Sequence, residues 1–128
     1  MNKIVLDLDG TLTLDDAGLD YPSKAINTEV VTRLREYKAE GYLICIYTAR
    51  GMNSKQQSIG RINSEILPEI ITWLKSNDIP FDELHIGKPW CGPDGFYVDD
   101  RTIRPSEFSS LTRQEILSML ASEGENDI

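Results

Sequence analysis

Two short runs of apolar residues, Ile4-Val5-Leu6 and Leu43 to Tyr47, each stop abruptly at a polar group, and an amphipathic stretch separates them. Runs this short that stay apolar at every position suit strands of a parallel sheet covered on both faces. Between them Ile26, Val30, Val31, Leu34 and Tyr37 recur at helical spacing, which predicts a helix over 25–40. Parallel strands need a long crossover, usually a helix, and this one supplies it. The chain therefore opens β-α-β, with strands predicted over 3–8 and 42–47. A second helix is predicted over 67–76, with Pro68 in its first turn and Ile70, Ile71, Trp73 and Leu74 buried. Strands follow over Phe81 to Ile86 and Gly95 to Val98, then a helix over 112–121 on Ile116, Leu117 and Leu120, with the tail 123–127 frayed. Residues 12–24 suit a short hairpin flap turning at Asp15-Asp16-Ala17-Gly18, and the polar residues 50–65 suit a long loop. Without repeats or a linker, residues 1–128 read as one domain. The alternation predicts a three-layer α/β/α sandwich around a mainly parallel sheet.

In such sheets ligands bind beyond the carboxyl ends of the strands, so the residues at those ends are the ones to inspect. The first strand ends in Asp7-Leu8-Asp9-Gly10-Thr11, the second in Thr48, the third leads to Gly87-Lys88-Pro89, and the fourth ends in Asp99-Asp100. Residues two apart on a strand share a side, so Asp7 and Asp9 face one spot. Two carboxylates that close repel, unless a hard cation such as Mg²⁺ lies between oxygen ligands. Gly10 allows a tight turn and close approach of backbone N–H groups to a ligand. A surface turn is the alternative reading, because Asp-Gly also marks hairpins.

These groups suit phosphoryl transfer. Asp7 is the nucleophile of an aspartyl-phosphate route, Asp9 the general acid and base, and Thr48 a hydroxyl for a phosphate oxygen. Lys88 offsets the carboxylates and the phosphate. Asp99 is a further metal contact, and Asp100 a ligand or the holder of metal-bound water or Lys88. Gly10, Thr48, Ala49, Arg50 and Lys88 form the expected substrate-binding set. Arg50, Lys55 and Arg61, at the mouth of the site, suit contact with the non-phosphate part of the substrate, and a mobile, solvated loop is the alternative. Trp90 suits either stacking on a sugar or base, or packing at the rim, and His85 reads as a strand residue.

Taken together, residues 3 to 101 resemble the haloacid dehalogenase superfamily of phosphohydrolases. The resemblance rests on Asp7-x-Asp9-Gly10-Thr11, Thr48, Lys88 and Asp99-Asp100, in that order. It implies a Mg²⁺-dependent phosphatase with Asp7 as nucleophile and metal contacts from Asp7, the Asp9 backbone carbonyl and the pair at 99–100. Only 36 residues separate Thr11 from Thr48, and 39 separate Thr48 from Lys88. That leaves no room for a cap domain, so the chain resembles the capless members, which accept larger substrates or shield the site by forming homo-oligomers. Ile46-Tyr47-Thr48-Ala49-Arg50, Gly87-Lys88-Pro89-Trp90 and Tyr97-Val98-Asp99-Asp100-Arg101 are similar to small phosphatases of capsular polysaccharide synthesis. That narrower likeness implies a sugar phosphate or related small phosphorylated metabolite. Transfer to another alcohol through the same intermediate is an alternative, as is a receiver-like phospho-accepting signalling domain.

Composition narrows the partners. The net charge of −8 argues against nonspecific binding to nucleic acid or anionic membranes. Cys45 and Cys91 show no zinc spacing and fit a reducing cytoplasm. Lys3 is followed by only three apolar residues before Asp7, and no stretch approaches the ~20 apolar residues that span a bilayer. The expectation is a cytoplasmic protein without a secretory leader.

Overall fold

The structure, a computed structural model, describes residues 1–14 and 20–125. The predicted turn at 15–18 lies outside them. Among the described residues the chain is α/β, with three parallel strands and five helices. It divides into two compact units, Met1–Trp90 and Cys91–Ile128. No helix among the described residues is long and apolar enough to cross a membrane.

The first unit holds β1 (Lys3–Leu6), α1 (Thr28–Ala39), β2 (Leu43–Tyr47), α2 (Ile59–Glu65), α3 (Leu67–Ser76) and β3 (Glu83–His85). The strands lie in the order β1-β2-β3, all parallel, with Leu6 opposite Ile46 and Ile46 opposite Leu84. Strand alternation puts Leu6, Ile44 and Ile46 into the core, beside the buried Val30, Val31, Leu34, Ile70 and Leu74 of the helices. Positions of the other parity are less uniform: Cys45 is buried, whereas Lys3, Val5 and His85 are exposed.

Local chemistry sets the element ends. Asn27 caps α1, its side-chain oxygen accepting the Val30 N–H. The Asp82 carboxylate accepts the Ile44 N–H at 2.8 Å and the Lys38 ammonium at 2.7 Å, tying the entry of β3 to β2 and α1. The Trp73 indole N–H donates to the Lys24 carbonyl at 2.9 Å. α3 matches its predicted span.

Two expectations need correction. Residues 59–65 form α2 instead of loop, because Ser58 accepts the Arg61 N–H and Ile62 is fully buried; one apolar anchor and a cap suffice where periodicity is faint. Among the described residues the expected flap is closed by an antiparallel bridge, Thr13 to Ile26, with a 3₁₀ turn at Tyr21–Ser23 between the two. Residues 95–98 belong to no strand among the described residues; Phe96 is 78% exposed and Val98 88%.

The second unit contains α4 (Pro105–Ser110) and α5 (Arg113–Glu125), around the buried Phe108 and Ile116. α4 has Pro105 in its first turn, and the Glu107 carboxylate accepts the Arg104 N–H at 2.7 Å. Thr112 and Glu115 cap α5 reciprocally: each side chain accepts the other's backbone N–H, at 3.2 and 2.9 Å. The helix runs on through Glu125, past its predicted end, so residues 123–125 of the expected tail are helical, and 126 and 127 lie outside the described residues.

Candidate active site

Five of the sequence-predicted side chains meet within the first unit. After β1 the chain turns sharply: the N–H groups of Thr11, Leu12 and Thr13 all converge on the Leu8 carbonyl at 2.9–3.3 Å. The turn leaves Asp7 and Asp9 on the strand's carboxyl side, while Leu8 and Leu12 are fully buried beneath it. Gly10 takes a φ of +80°, which a side chain disfavours. Its N–H donates to the buried Thr13 hydroxyl at 3.1 Å, so Gly10 shapes the loop and its N–H is already used there.

Thr48 is buried at the end of β2, and its backbone links two neighbours. Its N–H donates to the His85 carbonyl at 2.9 Å, and its carbonyl accepts the Lys88 N–H at 3.1 Å. The Lys88 ammonium thereby reaches Asp7, with Nζ 3.6 Å from Oδ1. The Thr11 hydroxyl donates to the other Asp7 oxygen at 3.5 Å. Burial pushes the Asp7 carboxyl above the usual carboxylate range, Lys88 opposes that shift, and the neighbouring Asp9 adds to it.

Arg50 is buried and grips Asp9 with both sides of its fork, Nε to Oδ2 at 3.0 Å and Nη2 to Oδ1 at 2.7 Å. Its backbone N–H donates to the Thr48 hydroxyl at 3.0 Å. The guanidinium carbon sits 4.0 Å from the centroid of the Tyr21 ring. Arg50 therefore faces inward and orients Asp9, where the sequence suggested a contact at the mouth. Tyr21 was not foreseen; nothing in a polar stretch marks an aromatic that will lie against an arginine from another loop. Lys55 and Arg61 both pair with Glu65, at 3.0 and 3.6 Å. Ala49, between Thr48 and Arg50, is half-buried.

Beside this centre Met52, Asn53, Gln56, Gln57, Pro89 and Trp90 line a cleft of about 500 Å³. Trp90 is half exposed there, one residue beyond Pro89 and two beyond Lys88. Asp99 and Asp100 belong to the second unit. The Asp99 carboxylate accepts the Arg101 N–H at 3.0 Å, a bond that holds it below the usual carboxylate range.

The donors at the end of β1 fit Mg²⁺ in kind: a carboxylate that burial makes uncomfortable as an anion, and oxygen atoms only. A different group, Cys45, Glu83 and His85, brings one ligand atom each within 4.8 Å across β2 and β3. Its mixed sulfur, oxygen and nitrogen donors do not suit Mg²⁺, and Lys3 already pairs with Glu83 at 2.6 Å.

No family model matches the chain, and no curated protein does. A solved structure from Vibrio cholerae, a crystal structure of a structural-genomics target, is similar at 45% identity and a TM-score of 0.92. The match covers 96% of this chain and 99% of that one. At that identity over nearly the whole of both chains, this protein and the Vibrio cholerae protein belong to one family.

Proposed function

We propose that the chain is a Mg²⁺-dependent phosphomonoesterase of the haloacid dehalogenase type, working through an aspartyl-phosphate on Asp7. One observation carries the reading: Lys88 Nζ lies 3.6 Å from Asp7 Oδ1, held there by the Lys88 N–H bond to the Thr48 carbonyl. A nucleophilic carboxylate, a phosphate-binding cation and a hydroxyl-bearing residue thus come from three separate strand ends.

Asp7 Oδ attacks phosphorus, and the bond from phosphorus to the ester oxygen breaks. Asp9 gives a proton to the departing alkoxide when it carries one and, as the carboxylate that Arg50 holds, takes one from the water that attacks the acyl phosphate and frees inorganic phosphate. Arg50 fixes the Asp9 carboxylate through both oxygens, each of which keeps lone-pair capacity for the reacting groups. Lys88 neutralises the phosphate approaching Asp7. Thr48 has its hydroxyl proton to offer, since its oxygen accepts from the Arg50 N–H. Asp7, the Asp9 carbonyl and the pair at 99–100 are the proposed holders of Mg²⁺, which supplies charge neutralisation at the phosphate oxygens.

The cleft beside Trp90 supports a substrate with an uncharged polar body, such as a sugar phosphate, because side-chain amides and an aromatic face line it. The test is turnover of a panel of sugar phosphates, nucleotides and an aryl phosphate. Wild type turns over with Mg²⁺ and stops reversibly on chelation; Asp7→Asn is inactive, because an amide cannot form the acyl phosphate. Activity of Asp7→Asn within about tenfold of wild type would refute the nucleophile, since enzymes must accelerate this hydrolysis by as much as ~10²¹.

A further inference from the structure

We propose that Cys45, Glu83 and His85 form a second metal site on the sheet, one that takes Zn²⁺ and is separate from the acidic centre at the end of β1. β2 and β3 lie in register with Cys45 opposite Glu83 and Tyr47 opposite His85. Neighbours across a ladder share a face, as do residues two apart on a strand, so all three side chains stand on one side of the sheet. It is the side opposite to the one that carries Leu6, Ile44 and Ile46 into the core. One ligand atom from each residue lies within 4.8 Å of the others. Tetrahedral zinc with bonds of ~2.0–2.3 Å holds its ligand atoms about 3.3–3.6 Å apart, so side-chain shifts of about an ångström close the site. Two strands fix the backbone, and only side-chain torsions have to move.

The donor set selects the metal. Thiolate, imidazole and carboxylate are all zinc ligands, and the thiolate disfavours Mg²⁺. Lys3 divides the carboxylate: its ammonium holds Glu83 Oε2 at 2.6 Å, while Oε1 lies 3.8 Å from His85 Nε2. Oε1 is thus the oxygen turned to the imidazole, and Lys3 is the outer partner that orients it, as such partners do around bound metals. The Tyr47 ring meets the His85 ring edge-on, with 6.4 Å between centroids, and restricts how the imidazole turns. On binding, Zn²⁺ displaces the Cys45 proton to solvent and bonds the thiolate. Thiolate and carboxylate together then cancel the two charges of the ion, so Lys3 faces a neutral cluster.

A thiol nucleophile with His85 as its base is the other chemistry these groups offer. Burial argues against it. Cys45 is buried on the middle strand, and that burial holds its thiol above the ordinary range, with Glu83 adding to the shift. Reactive thiols sit exposed with a lowered pKa. A metal meets the difficulty directly, because it takes up the charge of the thiolate. His85 is exposed, which gives the ion a way in and leaves the fourth position to water, as in zinc sites with three protein ligands. The ion would clip β3, only three residues long, to β2.

The site stands apart from the phosphatase reading and is tested without turnover. The whole chain, treated with chelator and kept reduced, is titrated with Co²⁺, the coloured stand-in for Zn²⁺. Wild type should develop a thiolate-to-cobalt charge-transfer band that saturates at one ion per chain, persists in excess Mg²⁺ and is bleached by an equivalent of Zn²⁺. Cys45→Ala should lose the band, whereas Cys91→Ala, in the other unit, should keep it. His85 is exposed, so His85→Ala should keep the far-UV spectrum of wild type while binding Co²⁺ at least about tenfold more weakly, the least that even outer partners of a bound metal contribute. The proposal is overturned by a wild type without the band, by a band that survives Cys45→Ala or vanishes in Cys91→Ala, or by undiminished affinity in His85→Ala.

Discussion

Arg50 and Asp9 are bound to each other unequally, and that inequality predicts which partner the fold can better spare. The Arg50 side chain is 1% exposed and the Asp9 side chain 30%. Removing Asp9 as Asp9→Ala strands a buried guanidinium where water cannot reach it. Breaking a buried pair in this way costs about 3–5 kcal/mol. Removing the arginine as Arg50→Met leaves a carboxylate that solvent can rehydrate. The loss is then about 2–3 kcal/mol, for charge-assisted hydrogen bonds and the contact with Tyr21, which the methionine keeps in part. In the double variant no buried cation remains, so it should unfold near Arg50→Met and not near the sum of the two. Urea unfolding at pH 7 with chelator present measures all four proteins and closes the cycle, with an expected coupling of about 3–5 kcal/mol, the size of the Asp9→Ala loss. If Asp9→Ala costs no more than Arg50→Met, or the two losses add, burial of the guanidinium is not what binds this pair.

How much of this the sequence disclosed follows from the range over which each signal acts. β1, β2, α1 and α3 are written in local periodicity, and their ends lie within a few residues of the predicted ones. Asp7, Thr48 and Lys88 are legible because a parallel sheet delivers its strand ends to one side whatever the details of packing. α2 is harder to see: one fully buried residue, Ile62, carries no periodicity, and the cap at Ser58 is a single weak cue. The role of Arg50 depends on a turn placing Asp9 above the end of β2 and on Tyr21 arriving from a 3₁₀ turn, contacts 41 and 29 residues apart in sequence that no local pattern encodes. The strand expected at 95–98 shows the converse. Its composition is right, but composition measures fitness for a sheet, and pairing needs an edge that some other segment must provide.

Two further substitutions probe the frame of the site. Gly51, next to Arg50, has φ +86°, and an added Cβ would stand 3.1 Å from Ile62 Cγ1 and 3.2 Å from Ile66 Cγ1, whereas one at Gly10, φ +80°, would meet nothing within 4 Å. Gly10→Ala should therefore cost about 1–2 kcal/mol for the backbone alone, and Gly51→Ala about 2–4 with crowding added; equal losses in thermal unfolding would show that the packing against Ile62 yields freely. Asp82 gives a pH signature. The Lys38 ammonium, and then the Ile44 N–H, hold its carboxyl below the usual range. A carboxyl whose pKa is depressed on folding stabilises the fold above its unfolded value of about 3.9, and that contribution is lost as pH falls through the lower, folded value. Asp82→Asn keeps an acceptor for the Ile44 N–H but no charge for Lys38. It should therefore be less stable than wild type at pH 7, by an amount that shrinks as the pH is taken below about 4. High salt should narrow the same gap at neutral pH, because the pair is partly exposed. A difference that stays constant from neutral to acid would place the loss in geometry instead of charge, and the entry of β3 would then be held by the Ile44 bond alone.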